Sequence, residues 1–416
     1  MMEKIAFATL GCKLNYAETS TYERGFAAAG MEVVGWDSPA DIYLINTCAV
    51  TEHAEKKSRN LIRRAHRLSP GAAIIVTGCS AHLRKDEISA LEGVSRVFGT
   101  GEKSLVVPET LSLVRGTTFK ADVMDTFPAY SSGERTRSFL KVQDGCNNFC
   151  SYCTVPFARG RSRNIPVCEA VRLAREIASK GIREIVLTGV NTGDFGRSTG
   201  ESFLSLLQAL DGVEGIERYR ISSIEPNLIT EEVVDWIASG TKFLPHFHIP
   251  LQSGSDTVLA TARRKYDTAL FASRIDYIRS RMERPGSLKV FFGIDVIAGL
   301  PGETDELFME TYNFLEQRIK PAFIHVFPYS RRPGTAAASM PGQVREQVKT
   351  ERVRKLEELC ASLNSQFVEA NRGLKARVLW ESSDHGGVMS GFTENYIRVE
   401  RPYDPALSGQ ITEVTI

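Results

Sequence analysis

A chain of 416 residues is long enough for two to four domains of roughly 150 residues each, so cores of ordinary size form without disulfide or metal staples. Hydrophobic residues at 42% and charged residues at 24%, with 33 glycines and 17 prolines, exclude disordered and collagen-like classes. The formal net charge of +1 excludes a uniformly basic nucleic-acid binder while leaving room for local patches.

Taken in chain order, residues 4–9 read as a strand, 17–29 as a helix and 42–46 as a strand. A basic helix over 53–68 follows, with Lys56, Lys57, Arg59, Arg63, Arg64 and Arg67 and no acid between them, and then a β-branched strand over 72–77. Strand–helix alternation predicts a small parallel sheet covered by helices, a domain spanning residues 1–128. Cys12, Cys48 and Cys79 each come just after one of these strands. Carboxyl ends of parallel strands share one edge, so the three cysteines should converge. The polar stretch 127–137 has linker composition. Beyond it, strand candidates at 139–142, 184–188, 219–222, 247–251, 290–297 and 323–327 alternate with helical segments at 167–180, 203–210, 231–238, 268–282 and 305–317. Six βα repeats predict a (βα)6 barrel, partial or complete, over residues 135–365, with its chemistry at the carboxyl ends of the strands. A charged helix over 344–371 leads into short strands at 376–380, 387–390, 396–399 and 411–416, which predict a small all-β barrel over 370–416. The fold expected is therefore α/β with a C-terminal β module.

No run approaches the roughly 20 apolar residues of a membrane span. The N-terminal apolar stretch is too short, and too soon interrupted by Lys13, for a secretory signal. The expectation is a cytoplasmic protein with no membrane partner, whose eight cysteines are thiols or ligands rather than a disulfide framework. Cys146, Cys150 and Cys153 form C-x3-C-x2-C in the loop after the first barrel strand (QDGCNNFCSYCTVPFARGRSR). Three thiolates suit three irons of a cubane and leave the fourth open. A structural zinc site would instead need a fourth ligand from elsewhere in the chain. Cys168 and Cys360 lie on expected helices outside any motif and read as structural.

This motif, with Tyr152 before its last cysteine, resembles the radical S-adenosylmethionine superfamily. Together with TLGCKLNYAET around Cys12, INTCAVTEHAEKKSR around Cys48 and VTGCSAH around Cys79, the resemblance narrows to the radical methylthiotransferases and covers essentially the whole chain. It implies two [4Fe-4S] clusters. Cys146, Cys150 and Cys153 would be the catalytic set that binds S-adenosylmethionine, and Cys12, Cys48 and Cys79 would hold an auxiliary cluster. It also implies a C-terminal TRAM-like RNA-binding β-barrel, a tRNA partner, a monomer, and an electron donor such as flavodoxin or ferredoxin. In that family one S-adenosylmethionine methylates a sulfur held by the auxiliary cluster and a second supplies the radical. The auxiliary cysteines, read without the resemblance, would be small core residues.

Tyr152, Gly189 (LTGVNTGDFG), Ser222 and Ser223 (ISSIEP), Gln252 (HIPLQSGSD) and Asp295 (DVIAGLPGE) stand at or near expected strand ends and are the candidate cofactor-binding residues. In this superfamily the turn after the fifth strand contacts the adenine. Glu225, His248 and Ser253 are further polar candidates; tight-turn chemistry or barrel hydrogen bonding is the alternative for each. For RNA, Arg159, Arg161 and Arg163 (FARGRSR) and the basic helix offer phosphate-binding charge, with Tyr152 and Phe157 as stacking surfaces. Residues 370–416 contain five cations and six acids, so RNA contacts there are local, at Lys375, Arg377, Arg398 and Arg401. The motifs look most like the branch acting on N6-threonylcarbamoyladenosine of tRNA. The alternatives are the branches acting on isopentenylated adenosine or a ribosomal-protein aspartate, a radical enzyme whose second cluster only relays electrons, and a non-catalytic iron–sulfur RNA-binding protein.

Overall fold

The computed structural model describes residues 2–119, 122–133 and 136–416; positions 134 and 135 of the expected linker lie outside them. The N-terminal unit is a five-stranded, all-parallel sheet in the order Glu32–Val34, Lys4–Thr9, Ile42–Thr47, Ala73–Gly78, Val94–Val97. Every residue of Ile42–Thr47 is buried, as expected for a central parallel strand covered on both faces. The first helix, Lys13–Ala28, begins four residues before the expected start. Cys12 is its N-cap with extended backbone and no side-chain cap bond, so the usual Ser, Thr, Asp or Asn signal is missing. The basic helix, Glu52–Leu68, does carry that signal: Thr51 accepts from the Ala54 amide. Its Lys56, Lys57, Arg63, Arg64 and Arg67 are exposed.

The barrel strands run in two sheets. Arg137–Lys141, Glu184–Thr188 and Arg218–Ile221 form one, with the two-residue strand Ala129–Tyr130 antiparallel at its edge. His246–Gln252, Phe291–Ala298 and Phe323–Pro328 form the other. Single parallel bridges, Tyr219 to Phe243 and Ser223 to His248, join them, giving six parallel strands in an open barrel. The last barrel helix, Asp305–Asn313, widens into π-helical turns over Phe314–Ile319. Helix Glu346–Glu369 closes the outside, where Cys360 accepts the Ile324 amide at 3.2 Å; the expected structural role for that cysteine fits its burial. Among the described residues no helix is long and apolar enough to cross a membrane.

The C-terminal strands form a four-stranded antiparallel sheet, Arg398–Pro402, Val388–Phe392, Lys375–Trp380, Ile411–Thr415, a half-barrel that makes the expected small all-β module. The strand expected at 396–399 starts at Arg398, because Tyr396 is in the left-handed region (φ 64°) and ends a turn there. That turn sits on the barrel. Arg220 donates to the Thr393 and Glu394 carbonyls at 2.8 Å each and pairs with Glu184, and Arg218 donates to the Phe392 and Arg377 carbonyls. Both arginines are 1% exposed.

Candidate functional site: two cysteine triads and the cavity beside them

Parallel-strand geometry brings the first three cysteines to one edge. Cys12 caps the first helix, Cys48 follows Ile42–Thr47 and Cys79 opens the short helix Cys79–Leu83. Gly11 has φ +98°, and a Cβ on it would stand 2.8 Å from Cys48 Sγ. Only glycine lets the Cys12 loop lie against Cys48. The Val50 amide donates to Cys48 Sγ at 3.5 Å, and Arg159 Nε donates to Cys79 Sγ at 3.2 Å. Burial pushes the Cys48 thiol up to about 11 and raises that of Cys79.

The second triad lies in the loop after Arg137–Lys141. Asn148 donates its amide to Cys146 Sγ and Val155 to Cys153 Sγ, each at 3.4 Å, and Arg264 Nη1 donates to Cys150 Sγ at 3.0 Å. Arg264 is held by Glu225 (2.6 Å), the Tyr266 hydroxyl (3.0 Å) and the Tyr152 hydroxyl (3.4 Å). It belongs to no motif recognised in the sequence and emerges only when the chain folds. Tyr152 is half-buried, with its hydroxyl against Arg264. Phe157 is exposed and packs edge-on against Phe149 at 5.8 Å. Burial pushes the Cys146 thiol to about 11 and that of Cys153 to about 12. None of the six is in a disulfide.

Thiols buried this way ionise only against a strong positive charge, which iron supplies, and amide-to-sulfur bonds then stabilise the thiolates. Single-ion coordination fits less well. Zinc held at about 2.3 Å puts its sulfurs within about 4 Å of one another. Among the described residues, the one trio of His, Cys, Asp or Glu donor atoms all within 4.8 Å of one another is His248, Asp295 and His325. Neither cysteine triad closes to that spacing; a cubane is the group that spans wider-set thiolates.

Within the barrel, Gly189 directly follows Glu184–Thr188, and a Cβ there would meet Gln143 Oε1 at 2.9 Å. Ser222 follows the next strand with a buried hydroxyl that lacks a partner among the described residues, an orphan polar group at a strand end. The Ser223 carbonyl accepts from Thr192. Gln252 ends its strand at φ 69° beside a register shift. Asp295 departs from expectation. It lies mid-strand, opposite His325, and bonds His248 Nε2 at 2.7 Å, while the turn around Gly299 and Gly302 comes later.

Arg159 also departs from its expected role in RNA binding. It is 3% exposed and belongs to a buried ionic cluster joining the N-terminal unit to the barrel. Lys103 reaches Glu18 at 2.6 Å and Asp144 at 3.1 Å; Lys141 reaches them at 2.8 and 2.6 Å; Arg159 reaches them at 3.2 and 2.8 Å. With Arg163 3.6 Å from Asp144, four cations thus face two carboxylates, and Arg159 carries positive charge to Cys79. Arg163 is also largely committed, to the Asp125 and Arg159 carbonyls at 2.6 Å each and to Asp144. Arg161 is exposed. Lys375 and Arg377 are exposed, in ion pairs with Glu413 and Glu217.

A cavity of about 930 Å³ opens between the Cys12 loop, the barrel lumen and the C-terminal turn. Cys12 and Lys13 line one wall, His248 and His325 the lumen side, and Tyr396 and Phe392 the third side.

Residues 4–99 match the model described as "Uncharacterized protein family UPF0004", and residues 140–315 match the Radical SAM superfamily. The chain is 40% identical to the threonylcarbamoyladenosine tRNA methylthiotransferase MtaB of Bacillus subtilis (strain 168), over 100% of its own length and 94% of the relative. It is 37% identical to the protein of the same name from Aquifex aeolicus (strain VF5), over 96% of each chain. Among solved structures it resembles the radical S-adenosylmethionine methyltransferase TsrM from Kitasatospora setae, with cobalamin and a [4Fe-4S] cluster bound. That likeness has a TM-score of 0.59 at 15% identity, over 81% of this chain and 77% of the other, and is one of fold.

Proposed function

Because the chain belongs to the radical S-adenosylmethionine methylthiotransferase family, we propose that it converts N6-threonylcarbamoyladenosine at tRNA position 37 into its 2-methylthio derivative. The observation that carries this reading is the full-length likeness to two threonylcarbamoyladenosine tRNA methylthiotransferases. The two separate cysteine triads at strand ends support it, since sulfur insertion needs a sulfur site as well as a radical source.

Cys146, Cys150 and Cys153 hold the S-adenosylmethionine-binding [4Fe-4S] cluster, and Cys12, Cys48 and Cys79 hold the auxiliary one. Bound there, S-adenosylmethionine on a reduced cluster supplies the 5′-deoxyadenosyl radical that breaks an unactivated C–H bond. The chain's own residues prepare the site. Tyr152, Gly189, Ser222, Ser223 and Gln252 form its cofactor-facing set, and Arg264 and Glu225 fix the Cys150 side. Arg159 and the surplus charge around it favour negative charge at Cys79. Residues 1–128, 135–365 and 370–416 are the functional divisions of a monomer that works in the cytoplasm and takes electrons from a flavodoxin- or ferredoxin-type donor.

Anaerobically reconstituted protein, given S-adenosylmethionine, dithionite and an anticodon stem-loop carrying threonylcarbamoyladenosine, should form 5′-deoxyadenosine, S-adenosylhomocysteine and the methylthio nucleoside. Deoxyadenosine without S-adenosylhomocysteine would leave a radical enzyme of another kind, and neither product would leave a non-catalytic binder. Iron content is a second measurement. With two cubanes the protein should carry about eight irons, and the Cys146→Ala, Cys150→Ala, Cys153→Ala variant about four. About four irons in the unaltered protein would remove the second cluster from the reading.

RNA contact is expected at the exposed cations Arg161, Lys375 and Arg377 and on the basic helix. Neutralising Arg161 should weaken tRNA binding and lower the log–log salt slope by roughly 0.7 to 0.9. Titration of Arg161→Gln at several salt concentrations checks this; an unchanged slope removes Arg161 from the interface.

A further inference from the structure

We propose that Lys13 is a specificity-determining residue that pairs with the carboxylate of the substrate's threonylcarbamoyl side chain. The inference rests on the substrate assigned above.

Its starting point is that Lys13 lines the cavity next to Cys12 yet has no side-chain hydrogen bond or ion pair among the described residues. The other cavity cations are committed. Arg137 pairs with Glu381, Arg220 with Glu184 and two carbonyls, and Arg398 with Glu400. Lys13 is exposed and lines the cavity. Arg137 and Arg220 line the same cavity, and Asp295 is the carboxylate whose field reaches Lys13. Asp295 itself is engaged by His248. An ammonium group set among other cations and lacking a counter-ion stabilises an incoming anion. The backbone adds to this. Lys13 opens a 16-residue helix with no acidic residue in its first turn and no side-chain cap, so its positive end also favours an incoming anion.

The chemistry of the substrate fits this wall. C2 and N6 of adenine both lie on the Watson–Crick edge, so a base presenting C2 to the Cys12 side also brings its N6 substituent there. The threonylcarbamoyl group ends in a carboxylate, whereas an isopentenyl group has no charge. One charge-assisted hydrogen bond in a partly desolvated site corresponds to roughly 10- to 100-fold in affinity.

The test uses reconstituted holoenzyme and two anticodon stem-loop RNAs, one with the threonylcarbamoyl carboxylate free and one with it as the methyl ester. Wild type should bind and turn over the acid at least about tenfold better than the ester. Lys13→Gln should lose that preference through affinity and KM, and Lys13→Arg should restore most of it; iron content and cluster spectra report whether each variant holds both clusters. If Lys13→Gln weakens acid and ester RNAs equally, Lys13 grips backbone phosphate and the inference is overturned. Equal wild-type affinity for acid and ester overturns it whatever the variants do. A wild-type preference for the acid in binding, with no methylthio product from it, supports the Lys13 contact and removes the proposed reaction instead.

Discussion

Replacing Cys12, Cys48 and Cys79 together with alanine should abolish methylthio product while leaving reductive cleavage of S-adenosylmethionine to 5′-deoxyadenosine in place. Losing a single outer-shell contact to a metal site costs 10- to 100-fold, so losing a whole ligand set should lower product formation by more than about 100-fold. The division follows from placement. The first triad hangs on the N-terminal parallel sheet, whereas the second is built entirely from the loop after a barrel strand, with its own amide donors and Arg264. Deoxyadenosine and methylthio nucleoside quantified from one reaction decide the matter. Loss of cleavage in a folded variant that keeps its radical cluster would refute the separation of roles.

Asp144→Asn should be the most destabilising single change, by about 3–5 kcal/mol, because it leaves buried cations without a counter-charge. Asp144 pairs with Lys103, Lys141 and Arg159, whose side chains are each at most 2% exposed, and with Arg163 at 3.6 Å. Burial alone would raise its pKa, but Arg159, Lys103 and Lys141 outweigh burial and hold it well below the usual carboxylate range. Glu18 is also lowered, against the same burial, by Lys103, Lys141 and Arg159. A depressed carboxylate stabilises the fold at full strength above its unfolded pKa of about 4, and that contribution is lost as the pH falls toward the folded value. Denaturant midpoints of wild type and Asp144→Asn should therefore differ by a constant amount from pH 5 to 8 and converge below about 4. A gap that widened in acid would contradict the ionic account.

What could be read in advance was whatever local chemistry marks. Period-2 and buried-strand patterns gave the six barrel strands, because runs such as IVLT and VFFGIDVI leave little else to be. The cysteine spacing gave the second triad. Convergence of the first triad needed only the rule that parallel strands end at one edge, although its purpose came from a resemblance of motifs. Charge misled where burial decided. Arg159 stands in a run of arginines that looks like an RNA surface, and it turns inward because Asp144, Glu18 and Cys79, all distant in sequence or across the domain boundary, assemble around it. Arg264 was invisible for the same reason: Glu225, Tyr152 and Cys150 meet it only in the folded barrel. Short edge strands such as Glu32–Val34 have too few residues to show a period.

The C-terminal sheet is anchored in a way that limits how the chain can be recombined. Its turn at 392–394 supplies carbonyl acceptors for Arg218 and Arg220 inside the barrel, so the C-terminal sheet and the barrel share one set of buried hydrogen bonds. A chain cut before that sheet would leave two guanidinium groups with Glu184 as their remaining partner, and each buried donor left unmade carries its own desolvation penalty. Exchange of this module between relatives would succeed only as a paired graft, with the receiving arginines and the donating turn inherited together. A sequence drifting in one would be held to match the other.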